Sequence, residues 1–130
     1  MVLFSKDFIY ILSFIHGILC TNDMKSFGSC YYQTGMASYY AEDFHGLTTA
    51  SGSIFDMNEY TVAHNTLPFG TILEVTNVWN KEKIIVKVTD RGPFAKNRIL
   101  DLSKQAGKKL GIIKRGYTKV RLKIILRGKK

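Results

Sequence analysis

Cysteine and proline are scarce in this chain, and acidic residues are absent beyond Asp101. The two cysteines, Cys20 and Cys30, have no cysteine or histidine partner at zinc-ligand spacing, and His16, His45 and His64 are scattered. No structural metal and no cofactor is therefore expected. A Cys20–Cys30 bridge could form in an oxidising compartment, whereas loss of a leader ending at Cys20 would leave Cys30 alone. Both prolines lie in glycine-containing turn signals, Leu67-Pro68-Phe69-Gly70 and Gly92-Pro93. Internal repeats, low-complexity tracts and glycine-rich nucleotide loops are also missing. With 22% charged and 12% aromatic residues the chain is not of the disordered class. Its 130 residues suit one domain with a modest core.

The net charge of +9 is uneven, because every charged side chain after Asp101 is basic. Such a C-terminal third attracts polyanions, here an anionic membrane or wall polymer, or else forms a solvated face with no single partner. Nucleic acid is not the expected partner. No nucleic-acid motif occurs, and Lys119, Arg121 and Lys123 alternate with Val120, Leu122 and Ile124 as on a solvated strand face. Residues 8–20 form a mostly apolar run behind Lys6, too short for an ordinary transmembrane helix and suited to a signal peptide. Export to the cell envelope follows as an expectation: periplasm, outer membrane or cell wall. A lipid anchor stays open, since Leu19 before Cys20 fits a lipobox badly and Gly28-Ser29 before Cys30 fits it better.

The remainder reads as short strands between glycine-marked turns. Residues 35–41 alternate small and aromatic side chains, and residues 58–64 could hold a short strand or a helical turn. Strands are predicted at 71–78, 83–89 and 117–126, and a helix at 104–110 with Ser103 as N-cap and Gly111 as its stop. Trp79, the single tryptophan, is expected at the edge of the core. Five or six short strands with one small helix indicate a small β-barrel. The strand at 83–89 ends abruptly in Asp90-Arg91-Gly92-Pro93-Phe94, where a turn residue of free φ and one of fixed φ break the ladder together. A carboxylate is thus placed on a sheet rim, where sites are often built. It could equally cap the turn.

Seven segments in one order carry a resemblance: residues 35–40 (GMASYY), 44–46 (FHG), 49–52 (TASG), 63–71 (AHNTLPFGT), 75–77 (VTN), 89–94 (TDRGPF) and 98–103 (RILDLS). Together they resemble the RlpA family, the rare lipoprotein A proteins, over residues 35 to about 125. The resemblance implies a six-stranded double-psi β-barrel related to expansins, carrying endolytic peptidoglycan lytic transglycosylase activity on peptide-poor glycan strands. The organisation it implies is a leader at 1–20, a linker at 21–34, the barrel at 35–126 and a basic tail at 127–130. The SPOR domain that often accompanies the family's barrel is not expected before Lys130.

Transglycosylation of this kind needs a carboxylic acid to protonate the leaving oxygen, while the muramic C6 hydroxyl supplies the nucleophile. The family's glutamate for this task falls at Ser53, whose hydroxyl holds its proton too tightly to serve. The catalytic candidates are then Asp90, Asp101, His64 and Asp56. Asp101 also matches the key aspartate of expansins, which bind and loosen glycans with little or no turnover, and that remains the alternative function. Arg91 and Arg98 could orient carboxylates, bind the lactyl carboxylate of muramic acid, or simply form surface ion pairs. Tyr39, Tyr40, Phe69 and Phe94 could stack on sugar faces or pack in the core. His45 is expected to fix its loop.

Overall fold

The computed structural model of the protein describes residues 32–40 and 42–129. The expected leader, most of the linker, the basic tail's last residue and both cysteines lie outside the described residues. Six strands form the domain: β1 (Tyr32–Tyr39), β2 (Thr61–Ala63), β3 (Ile72–Asn77), β4 (Lys83–Asp90), β5 (Arg98–Leu102) and β6 (Tyr117–Leu126). One helix, α1 (Lys104–Lys109), and a 3-10 turn at Glu42–Phe44 complete it. The strands close into a barrel in the order β1-β5-β2-β4-β3-β6. β1 runs parallel to β5 and β2 runs parallel to β4, while the other neighbours are antiparallel.

Alternation explains the long strands. Ile84, Val86 and Val88 of β4, and Val120, Leu122 and Ile124 of β6, point into the core, while the intervening lysines and arginines face water. Leu73 and Val75 of β3 fill the space between them. β1 begins at Tyr32, earlier than the pattern predicts, because Tyr32, Gln33 and Thr34 pair in register with Lys123, Leu122 and Arg121. Those polar residues carry no periodic signal of their own. β5 is the strand that the pattern does not predict. It contributes only Leu100 and Leu102 to the core and is held by β1 on one side and β2 on the other. Trp79 departs from expectation too: it lies in the β3–β4 turn and is 70% exposed instead of sitting at the core edge.

This topology positions the site. Ala63 of β2 is opposite Asp90 on β4 and opposite Asp101 on β5. The two aspartates, eleven residues apart in sequence, therefore stand at one level on either side of a small residue. α1 follows β5 directly, which anchors that level from below the turn. Ser103 accepts the N–H of Ala106 as N-cap and donates its hydroxyl to the carbonyl of Glu59. Leu110 caps the far end, with Gly111 at φ 74°.

Replacing Ser103 by alanine removes the cap and leaves the Glu59 carbonyl without its donor. A loss of about 1–2 kcal/mol is expected, read as a lower urea midpoint with an unchanged m-value.

Candidate active site

Asp90, the last residue of β4, is fixed from three sides. Its Oδ1 accepts the backbone N–H of Ala50 (2.9 Å) and of Arg91 (2.9 Å), and its Oδ2 accepts the Tyr40 hydroxyl (2.9 Å). Gly92 follows at φ 132°, a value few side chains tolerate, and lets the chain turn directly after the pair. Burial raises the pKa of Tyr40, and the Asp90 carboxylate accepting its proton raises it further. The phenol is therefore a permanent donor. Two N–H groups fill one oxygen of Asp90 and one hydroxyl partly fills the other, an arrangement suited to a fixed negative charge.

Asp101 is held more loosely. The Ser38 hydroxyl donates to Oδ1 (2.6 Å), and Arg98 Nη1 donates to the same Ser38 oxygen (2.6 Å) while lying 3.7 Å from Asp101 Oδ1. Among the described residues no donor reaches Oδ2. Ser38 is the register partner of Asp101 across β1 and β5, which makes this contact a property of the pairing. Pattern reasoning missed Ser38, because nothing in a mid-strand serine shows which carboxylate lies opposite. Arg98 Nε is buried with no hydrogen-bond partner among the described residues.

Both aspartates open into one cleft of about 490 Å³. Tyr39, Tyr40 and Phe44 form one wall, and Phe94 stands at the rim, 90% exposed. Tyr40 is braced by tilted contacts with Phe44 and Phe55, whose ring centroids are 5.6 and 5.0 Å away. The predicted Tyr39, Tyr40, Phe94, Arg98, Asp90 and Asp101 are thus brought together. Phe44 joins them unpredicted; the only signal was its place in the Phe44-His45-Gly46 segment.

Four predicted residues lie elsewhere or face another way. His64 is buried and does not line the cleft. Its Nδ1 accepts the N–H groups of Thr66 and Leu67 (both 3.1 Å), so its proton sits on Nε2, toward Gln33 Oε1 (3.0 Å). It shapes the 64–67 loop. Arg91 borders the cleft, but its guanidinium donates to the carbonyls of His64 (3.1 Å) and Leu67 (2.8 Å) and lies 3.9 Å from the Phe69 ring centroid. That arginine is a loop clamp. Phe69 serves the same clamp. Asp56 accepts the N–H of Asn58 (2.8 Å) and lies 3.8 Å from His45, whose Nδ1 accepts the N–H of Met57 (3.2 Å). Ser53 closes a ring of hydroxyls with Thr49 (2.8 Å) and Ser51 (3.0 Å), beside the loop that gives Asp90 its Ala50 donor. Among the described residues no group of three His, Cys, Asp or Glu side chains could hold a metal ion.

The family model described as "Lytic transglycolase" matches residues 32–122. A probable endolytic peptidoglycan transglycosylase RlpA of Treponema pallidum is 57% identical over 86 residues, covering 66% of this chain and 27% of that protein. The endolytic peptidoglycan transglycosylase RlpA of Pasteurella multocida is 42% identical over 111 residues, covering 85% and 38%. The chain thus spans well under half the length of these curated relatives. Among solved structures, the apo expansin of Clavibacter michiganensis superposes with a TM-score of 0.61 at 23% identity, covering 77% of this chain and 53% of that one, which bears on the fold.

The His64 environment has a pH consequence. Burial first, and the nearby Arg91 guanidinium second, hold its pKa below the usual 6.5. The unfolded chain therefore takes up a proton before the folded chain does. The stability contributed by neutral His64 is complete above pH 6.5 and is lost as pH falls from there to the folded pKa. Thermal melts between pH 8 and the acid range are expected to show Tm falling below about 6.5. In His64→Gln, Tm is expected to start lower and fall less steeply over the same window.

Proposed function

This chain belongs to the RlpA family of lytic transglycosylases, and we propose that its cleft cleaves peptidoglycan glycan strands endolytically without water. The observation that carries the proposal is the asymmetry of the two carboxylates lining the cleft: Asp90 is held by three donors, whereas among the described residues Asp101 is bonded at Oδ1 alone. In the proposed reaction Asp101 protonates the oxygen between C1 of N-acetylmuramic acid and C4 of N-acetylglucosamine. As the C1–O bond breaks, the fixed charge of Asp90 stabilises the oxocarbenium-like centre. The muramic C6 oxygen then bonds to C1 and returns its proton to Asp101, which balances the step and leaves a 1,6-anhydromuramic end. Ser38 and Arg98 orient the acid, and the Tyr39, Tyr40, Phe44 and Phe94 rings offer faces for the sugars. His64, Arg91 and Asp56 support loops around the site in this reading.

Ser53 favours a second reading, an expansin-like glycan-binding module with little or no turnover. The family's usual acid is missing there, and the hydroxyl ring that replaces it brings no charge. Asp101 decides between the two, because one well-placed acid suffices when the nucleophile belongs to the sugar. The setting proposed is the cell envelope, reached through the apolar leader at residues 8–20, with lipidation through Cys20 or Cys30 as an added proposal. The outward lysines and arginines of β6 would hold the protein near an anionic membrane or wall polymer.

Incubation with peptide-free glycan strands is expected to release 1,6-anhydromuramyl products, detected by mass spectrometry. Asp101→Asn is expected to lower the rate by about 10²-fold or more while strands still co-sediment with the protein. Absence of anhydro product from the unaltered protein, with co-sedimentation intact, would leave the binding reading standing alone. Ser53→Glu is expected to raise turnover by roughly tenfold or more; a folded variant without gain would show that this acid is not what limits the chain.

A further inference from the structure

The cleft does not stop at Asp101. Register partners continue across the barrel: Asp90 and Asp101 flank Ala63, Ser38 of β1 faces Asp101, and Tyr117 of β6 faces Ser38. At a spacing of about 4.8 Å per strand, Tyr117 lies roughly 19 Å along the barrel surface from Asp90. Two smaller hollows follow this line. One, of about 320 Å³, shares Arg98 with the acid cleft and reaches Met36 and Tyr117. The next, of about 150 Å³, shares Tyr117 and ends at Trp79 and Arg115. Tyr117 is 51% exposed and Trp79 is 70% exposed, which removes both from any role in the core.

We infer that this line is a glycan-binding arm, which carries sugar residues beyond the cleavage point along Tyr117 to Trp79. The inference rests on the reading of the acid cleft as a glycan site and extends it to a preference for long strands. A polysaccharide is the occupant because each hollow shares a lining residue with the one before it, starting from that cleft, and the line is marked by separated aromatic faces. That pattern suits successive pyranose rings stacking their C–H faces. The arm is also cationic. Arg98 stands at its entrance, and the Arg115 guanidinium lies 5.8 Å from the Tyr117 ring centroid. A peptide-free muramic acid presents a lactyl carboxylate, the group a guanidinium binds best.

Trp79 is the single tryptophan of the chain and sits at the far end of the arm, so its emission reports occupancy there directly. The experiment uses the Asp101→Asn protein, which suppresses turnover, titrated with peptide-free glycan fragments of four and of eight or more sugars. Calorimetry is read beside Trp79 fluorescence. Long fragments are expected to bind about tenfold tighter than short ones and to shift the emission, while short ones leave it unmoved. Tyr117→Ala is expected to abolish the length advantage and leave short-fragment affinity unchanged. Because Tyr117 belongs to β6, Trp79→Ala in the exposed turn, followed by calorimetry alone, gives the same test without touching the barrel. Equal affinity for both lengths, an unmoved emission, or variants that weaken both lengths alike would overturn the arm and spare the cleft. Failure of both lengths to bind at all would overturn the glycan reading of the cleft, and the arm with it.

Discussion

The carboxylate of Asp90 is the knot on which the site depends. It draws together the end of β1 through Tyr40, the 49–53 loop through Ala50 and the turn after β4 through Arg91. Each of those segments does something else as a result. Tyr40 becomes a wall of the cleft, the loop is drawn against the rim, and the turn presents Gly92 and Phe94 toward the opening. Removing the carboxylate would free three donors at once; the Tyr40 hydroxyl and the Arg91 N–H are partly buried, where an unsatisfied group costs on the order of 1–3 kcal/mol. The residue that stabilises charge in the proposed reaction is therefore also the one that assembles the place where it happens.

The substitution at Ser53 becomes intelligible in that light. The 49–53 loop is tied to β4 by backbone groups, the Ser51 N–H to the Thr89 carbonyl and the Ala50 N–H to Asp90. Neither bond involves the side chain at position 53. Hydroxyls of Thr49, Ser51 and Ser53 satisfy one another. The loop can thus keep its architectural task whether or not an acid stands on it, and in the proposed reaction the chemistry is assigned to the aspartates of β4 and β5.

Much of the barrel was legible from alternation alone. β4 and β6 could be read from their buried aliphatics, and α1 from Ser103 and Gly111, because in each case local preference and tertiary burial agree. β5 was not, since a five-residue strand with two core side chains is defined by its neighbours. Asp101 could accordingly be found only through the ordered motifs. The side-chain directions of His64 and Arg91, which the sequence does not show, have a common physical source. His64 and Arg91 sit in or beside a loop whose N–H and carbonyl groups need partners, and both satisfy that loop before any cleft. Sequence shows that a polar residue is near a site; it does not show which backbone groups compete for it. Ser38 and Phe44 are the reverse case, ordinary by type and placed at the site solely by strand register and turn geometry.

Closure of the barrel has a consequence of another kind. With β1 hydrogen-bonded to both β5 and β6, and β3 to both β4 and β6, the described strands close into a ring with no terminal edge strand. A second polypeptide finds no whole strand edge to extend, and copies of the described domain lack the long open margin that backbone-to-backbone zipping uses. What meets these strands meets chiefly side chains and turns: the rim where Asp90 and Asp101 open, the outward strand faces and the loops between them.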